Sequence, residues 1–205
     1  MCGIAGIINF NEKKISEREV KLALKSIKHR GPDDNGSWTN NSKNIALINT
    51  RLSIQDPSTK GSQPMTSDDG RFVIIFNGEI YNFKYLKKNY FSNENFKSNS
   101  DTEVILKLFT RYNFKFLSLL EGMFAIAIYD KQKSIIELFD EYGDGFYPSG
   151  YFLITNECQD TLAFVQNEGY VNPNDPTFGF DSLALANGWT TPGIIFGGPN
   201  TSASF

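Results

Sequence analysis

The apolar residues of this chain recur with two different periods. GIAGIINF, from Gly3 to Phe10, is almost continuously apolar and reads as a buried strand. In SEREVKLALKSIK, Val20, Leu24 and Ile27 return at helical intervals behind Ser16 and Glu19, which have capping-box spacing. That pattern predicts an amphipathic helix. IALI and RFVIIF are short β-rich runs, and the second leads into Asn77-Gly78, a pair that favours a tight turn. SDTEVILKLFTRY repeats the helix pattern. Ser100 and Glu103 form a second capping box, Asp101 falls in the first turn, and Val104, Ile105, Leu108, Phe109 and Tyr112 share a face. MFAIAIYD and SIIELF are strand-like again. Strands and helices thus come in blocks, which predicts sheets covered by helices rather than a doubly wound parallel sheet. Beyond Tyr142 the chain turns rich in Gly, Asn and Pro, and its periodicity fades.

Composition narrows the class. With 205 residues, 40% of them hydrophobic and 14% aromatic, the chain can build one domain with a substantial core. Two cysteines, Cys2 and Cys158, are too few for a disulfide framework. The start lacks a basic region followed by a long apolar segment, and no run reaches membrane-spanning length, so a cytoplasmic protein with reduced thiols is expected. The net charge of -3 hides an asymmetry: all 20 Lys and Arg lie at or before Lys133, against 14 acids there, while 134–205 holds nine acids and no base. Such a shift marks a boundary or a diverged segment. The basic residues are scattered among acids and do not cluster with aromatics, which argues against a nucleic-acid partner.

Candidate chemistry begins with MCGIAGI. Loss of Met1 would give Cys2 a free α-amino group with a pKa of roughly 7.7–8.0, a base built into the nucleophile. Cys2 read alone is a small apolar residue at a strand start, the better reading for a lone cysteine. His29, the single histidine, sits in KHRGPDDNG before Gly-Pro, where a histidine commonly caps the last carbonyls of a helix. One His and two distant Cys satisfy no metal-ligand spacing, and no Walker-type loop is present.

MCGIAGI is followed in order by HRGPDDNG, RLSIQD, GSQPM, NGEIYN, SDTEVIL and GMFAIAIYD. Together these resemble the glutaminase domain of asparagine synthetases, class II glutamine amidotransferases of the N-terminal-nucleophile hydrolase fold. The resemblance covers about the first 130 residues. It implies an α+β fold, an αββα sandwich of two mainly antiparallel sheets between helical layers. It further implies that Cys2 attacks the side-chain amide of L-glutamine and that Asn77 and Gly78 form the oxyanion hole. By the same resemblance Arg51 holds the substrate α-carboxylate, Asp101 its α-ammonium, Ile54 and Glu79 line the pocket, and Arg30 and Gly31 shape it. The physics agrees: a tetrahedral oxyanion needs preorganised donors, and a carboxylate suits the guanidinium fork. Read without the resemblance, Asn77-Gly78 is a hairpin turn, Asp101 a helix-start carboxylate and Arg51 a surface charge.

The resemblance also sets what the chain lacks. LFDEYGDGFY keeps Asp140 and Gly143 in the register of the family's arginine-aspartate-x-x-glycine segment but has Phe139 at the arginine. Later, FDSLALANGWTTPGIIFGG faintly echoes the linker into the synthetase half. The expectation is therefore one amidotransferase domain over 1–205, with 134–205 diverged. The Ser-Gly-Gly-x-Asp-Ser loop that would bind ATP is nowhere in the sequence. The half-reaction expected here needs no cofactor, and ATP and Mg belong to a synthetase domain or subunit that accepts the ammonia. A homodimer is a further expectation. The alternative, from another class, is a catalytically silent glutamine-binding or regulatory relative, motivated by the missing arginine and the basic-free tail.

Overall fold

The computed structural model describes residues 2–9, 14–141, 151–155, 161–165, 194–195 and 202–204. Gly143 and Cys158 lie outside these residues, as does most of the Gly-, Asn- and Pro-rich tail. Two antiparallel sheets are stacked between helices. The first has the strand order β10-β8-β9-β1-β3-β2, built from β1 (Gly3–Asn9), β2 (Asp34–Thr39), β3 (Ile45–Arg51), β8 (Tyr151–Thr155), β9 (Thr161–Val165) and β10 (Ile194–Ile195). The second has the order β11-β7-β6-β5-β4, from β4 (Met65–Thr66), β5 (Phe72–Ile80), β6 (Gly122–Asp130), β7 (Ile135–Glu141) and β11 (Ser202–Ser204).

Period-two alternation sorts the apolar residues of each strand onto two faces. Ile4, Ile8, Ile45, Leu47, Val73, Ile75, Ala125, Ala127 and Leu138 form the core between the sheets. The other face of the first sheet, with Ala5, Ile7, Ala46 and Ile48, is covered by Ala23 and Ile27 of α1 (Glu17–Ile27). Phe72, Ile74, Phe76, Ile126 and Phe139 face Val104, Ile105, Leu108 and Phe109 of α3 (Asp101–Tyr112). The layers are α, β, β and α, and β1 is buried along its whole length because both its faces are covered. Short α2 (Phe83–Tyr90) buries Leu86 beside α3. β2, β4 and α2 were not separable in the sequence pattern.

Both helix starts follow the capping pattern, one of them in part. Ser16 Oγ accepts from Glu19 N–H while the Glu19 carboxylate accepts from Ser16 N–H at 2.7 Å, a complete box. Ser100 likewise accepts from Glu103 N–H, but Glu103 turns away: its carboxylate takes the N–H groups of Lys97 (2.9 Å) and Ser98 (2.7 Å). Its work is to fold the segment that enters α3, not to close a box.

The tight turn expected at Asn77-Gly78 is absent. β5 runs straight through to Ile80, with Asn77 opposite Ala125 and Gly78 opposite Phe124 on β6. The glycine serves a different purpose there. Gly78 has φ +152, and a Cβ would fall 2.1 Å from the carbonyl oxygen of Met123, so a side chain would push β6 away. His29 sits exposed in a 3-10 turn, Lys28–Arg30, directly after α1.

Candidate active site

The polar residues of interest continue the apolar inter-sheet rows at one end of the sandwich. Cys2 extends the row of Ile4 and Ile8, Asn49 and Arg51 that of Ile45 and Leu47, and Asn77 that of Val73 and Ile75. The register Gly3↔Thr50 and Ile4↔Asn49 brings the chain start beside the end of β3. One cleft is lined by Cys2, Arg51, Ile54, Gly78, Glu79 and Asp101, residues from four separate motifs.

Cys2 is half-buried and its thiol faces the carbonyl of Leu52 at 3.8 Å. Burial pushes the thiol pKa up, against the smaller pull of the Leu52 contact, the N-terminal charge and Arg51. A neutral thiol of this kind needs a base. Its main chain is fixed by buried Arg30, whose Nε donates to the carbonyl of Cys2 at 3.0 Å. Gly31 lets that turn lie against β3: a Cβ would meet Arg51 N at 2.4 Å and Thr50 O at 2.5 Å. Thr50 completes the join, its hydroxyl donating to Ile27 O at 2.9 Å.

Arg51 is 5% exposed, not the surface charge that the residue alone would suggest. Nη1 donates to Ser58 O at 3.0 Å, and Nη2 donates to Gln55 O at 2.9 Å and to Asp56 O. Of its five N–H groups, Nε–H and the second Nη1–H are outside these bonds. Asp101 is the first residue of α3 and 6% exposed. Oδ2 accepts from Ile80 N–H at 3.2 Å and Oδ1 from Thr102 N–H at 2.9 Å. Burial nevertheless pushes its carboxyl up to about 6, with the charge of Glu79 adding to the rise and the N–H donors opposing it.

Asn77 is 1% exposed, one residue before Gly78, and is not among the residues that line the cleft. Glu79 accepts from Gln55 Nε2 at 3.1 Å, and Ile54 is 67% exposed at the rim. Asp140 lies opposite Ala125, which lies opposite Asn77, so the three occupy one row across the second sheet. Phe139 belongs to the other face: it is 1% exposed, with ring centroids 5.3 Å from Phe116 and 6.0 Å from Phe109. The position at which an arginine was expected therefore points into the α3 core and away from the face that carries Asn77.

The GSQPM motif gives no sign of what Gln63 does in the fold. This buried side chain accepts from Phe76 N–H at 2.6 Å and from Asn49 Nδ2 at 3.4 Å, and donates to Thr102 Oγ1 at 3.3 Å. It thus links both sheets to α3 and itself lines the cleft. Asn49 in turn donates to Gly3 O at 3.3 Å, next to Cys2. Among the described residues no group of three or more His, Cys, Asp or Glu is arranged to hold a metal, and no helix is long and apolar enough to cross a membrane.

A cysteine-led central strand in an αββα sandwich, opening on Arg51, Asp101 and Gly78, defines a class II glutamine amidotransferase. Residues 1–159 match the glutamine amidotransferase domain family, and the chain belongs to that enzyme family. The match runs past Asp130, where the ordered motifs end. The chain is 42% identical over 188 residues to putative asparagine synthetase (glutamine-hydrolyzing) 2 of Methanocaldococcus jannaschii, covering 80% of this chain and 35% of that protein. It is 34% identical over 178 residues to asparagine synthetase B (glutamine-hydrolyzing) of Escherichia coli, covering 80% and 32%. This is an amidotransferase domain of asparagine-synthetase type, and it spans about a third of the length of these relatives. Among solved structures, glutamine phosphoribosylpyrophosphate amidotransferase of Bacillus subtilis superposes with a TM-score of 0.63 at 19% identity, over 80% of this chain and 41% of that one. The fold is that of the N-terminal-nucleophile hydrolases.

Proposed function

We propose that the chain hydrolyses L-glutamine to glutamate and ammonia through a Cys2 thioester, and that the ammonia passes to a synthetase domain or subunit for asparagine formation. The observation that supports this best is the convergence of Cys2, Arg51, Gly78 and Asp101, residues far apart in sequence, on one cleft. With Met1 removed, the α-amino group of Cys2 takes the thiol proton as sulfur attacks the amide carbon. The oxyanion that forms is met by the side-chain amide of Asn77 and the N–H of Gly78. The carbon–nitrogen bond then breaks, ammonia leaves with the proton, and water cleaves the thioester to release glutamate. No step of this half-reaction calls for a cofactor; any ATP- and Mg-dependent step falls to the synthetase partner. A reducing, cytoplasmic compartment would keep Cys2 as a thiol.

The test is direct. Protein with a mass-confirmed Cys2 N-terminus should release glutamate and ammonia from glutamine, and the Cys2→Ala variant should release neither. Equal rates for the two would overturn the proposal.

A further inference from the structure

Arg51 and Asp101, which would hold the α-carboxylate and the α-ammonium on the one α-carbon of the amino acid, come from separate elements, and no hydrogen bond joins their side chains. Their spacing nevertheless sets which substrate fits, because both charges of the amino acid must be met together. One side chain joins their supports. Asp56 offers its main-chain oxygen to Arg51 Nη2. Its Oδ1 accepts from Ser58 N–H at 3.2 Å and Ser58 Oγ–H at 2.6 Å, which fixes the residue whose carbonyl takes Arg51 Nη1. Its Oδ2 reaches across to accept the N–H of Asn99 at 2.6 Å, two residues before Asp101 and one before Ser100, the N-cap of α3.

The backbone of Asp56 is held at φ +47, a left-handed conformation that aspartate tolerates better than most residues but that still costs energy. The surrounding bonds over-determine it. Resting on the glutaminase reading above, we propose that Asp56 is a positioning residue: it fastens the carbonyl cage of Arg51 to the start of α3 and so fixes the distance between the carboxylate-binding and ammonium-binding groups. It touches neither the substrate nor Cys2. Its effect is on recognition of the amino-acid end of glutamine, not on thiol chemistry.

The experiment uses two electrophiles on the full chain. A chloroketone analogue of glutamine alkylates Cys2, sulfur displacing chloride, at a rate that depends on recognition of both charged ends. Iodoacetamide, which loses iodide to the same sulfur, reports the thiol alone. Asp56→Ala should raise KM for glutamine and slow chloroketone labelling by about 10-fold or more, since charge-assisted hydrogen bonds are lost. kcat and the iodoacetamide rate should stay within about 3-fold of the parent, the change expected when binding rather than the transition state is affected. Asp56→Asn, which keeps an acceptor and tolerates the same φ, should recover part of the loss. Unchanged KM and chloroketone rate in Asp56→Ala would overturn the proposal. So would a parallel fall in kcat and iodoacetamide labelling, the mark of a residue that merely holds the fold. If glutamine fails to protect Cys2 of the parent chain from iodoacetamide, the glutaminase reading itself is overturned, and this inference with it.

Discussion

Asp101 accepts the main-chain N–H of Ile80 at 3.2 Å, joining the first residue of α3 to the last residue of β5. Asn77 and Gly78 lie three and two residues before Ile80 on that strand. The proposed ammonium acceptor is thereby registered against the strand that carries the proposed oxyanion donors. On these proposed roles, the ammonium and amide ends of one substrate would be measured from a single piece of β-structure.

The acidity of Asp101 gives the first prediction. Burial pushes its carboxyl up to about 6, and only the ionised form can accept from an ammonium group. Glutamine affinity should therefore be full well above pH 6 and fall as pH drops through that value, by about tenfold per unit at the limit. Binding of glutamine to Cys2→Ala, followed by calorimetry between about pH 5 and 8, isolates this from titration of the thiol and its base. An affinity flat across that range would remove Asp101 from the binding role.

The same group makes a prediction about stability. A carboxyl raised from 3.8 to about 6 is protonated more readily in the folded than in the unfolded chain. Its favourable contribution is thus present below the unfolded value and is lost as pH rises through about 6. At neutral pH the buried carboxylate weakens the fold. Asp101→Asn should stabilise the protein at pH 7.5 by on the order of 1–3 kcal/mol in urea melts, with the gain vanishing near pH 4. The variant should meanwhile bind glutamine poorly, so stability and function move in opposite directions.

Arg51 and Asn77 should fail in different kinetic constants. On its proposed role, removing the Arg51 fork would leave the substrate carboxylate without its partner, and it frees three carbonyls of the 55–58 loop. Arg51→Ala should cost roughly 2–4 kcal/mol, about 30- to 1000-fold in kcat/KM, chiefly through KM. Asn77→Ala should depress mainly kcat, because the proposed oxyanion donor would meet charge that forms only in the transition state. Steady-state measurements on both variants decide the matter. A raised KM with kcat intact in Asn77→Ala would contradict the oxyanion role.

The elements that could be read in advance are those in which local and tertiary signals coincide. Ser16 and Glu19 fix the start of α1, and Val20, Leu24 and Ile27 fix its buried face, so nothing distant can alter the outcome. Asn77-Gly78 misled because turn propensity is local, while the pairing of β5 with β6 continues through the dipeptide and leaves room only for a glycine there. Glu103 misled for the same reason, its carboxylate being captured by Lys97 and Ser98. The cleft residues were named through ordered motifs, but their partners were not. The carbonyl cage of Arg51 and the links through Gln63 depend on main-chain positions that no residue pattern encodes. β2, with its polar DNGSWT stretch, carries too little alternation of apolar side chains to be recognised without β3 beside it.

Phe139 yields the last prediction, and it bears on the silent-relative alternative. If the missing arginine had disabled the site, restoring it should raise activity. The side chain at 139, however, packs among Phe109, Phe114 and Phe116 beneath α3, on the face opposite that of Asn77. Phe139→Arg would place an unpaired guanidinium in that core and should destabilise the protein by about 3 kcal/mol or more, without any gain in glutaminase rate. Phe139→Leu keeps the site apolar and should cost about 1–2 kcal/mol, as a smaller side chain leaves a partial void. Its kcat/KM should stay within about 3-fold of the parent, since no group facing Cys2 is altered. Denaturant melts and glutamine turnover on these two variants separate the cases. A rise in turnover for Phe139→Arg would show that the helix-facing side of β7 governs the cleft, and the assignment of Phe139 to the core alone would have to be abandoned.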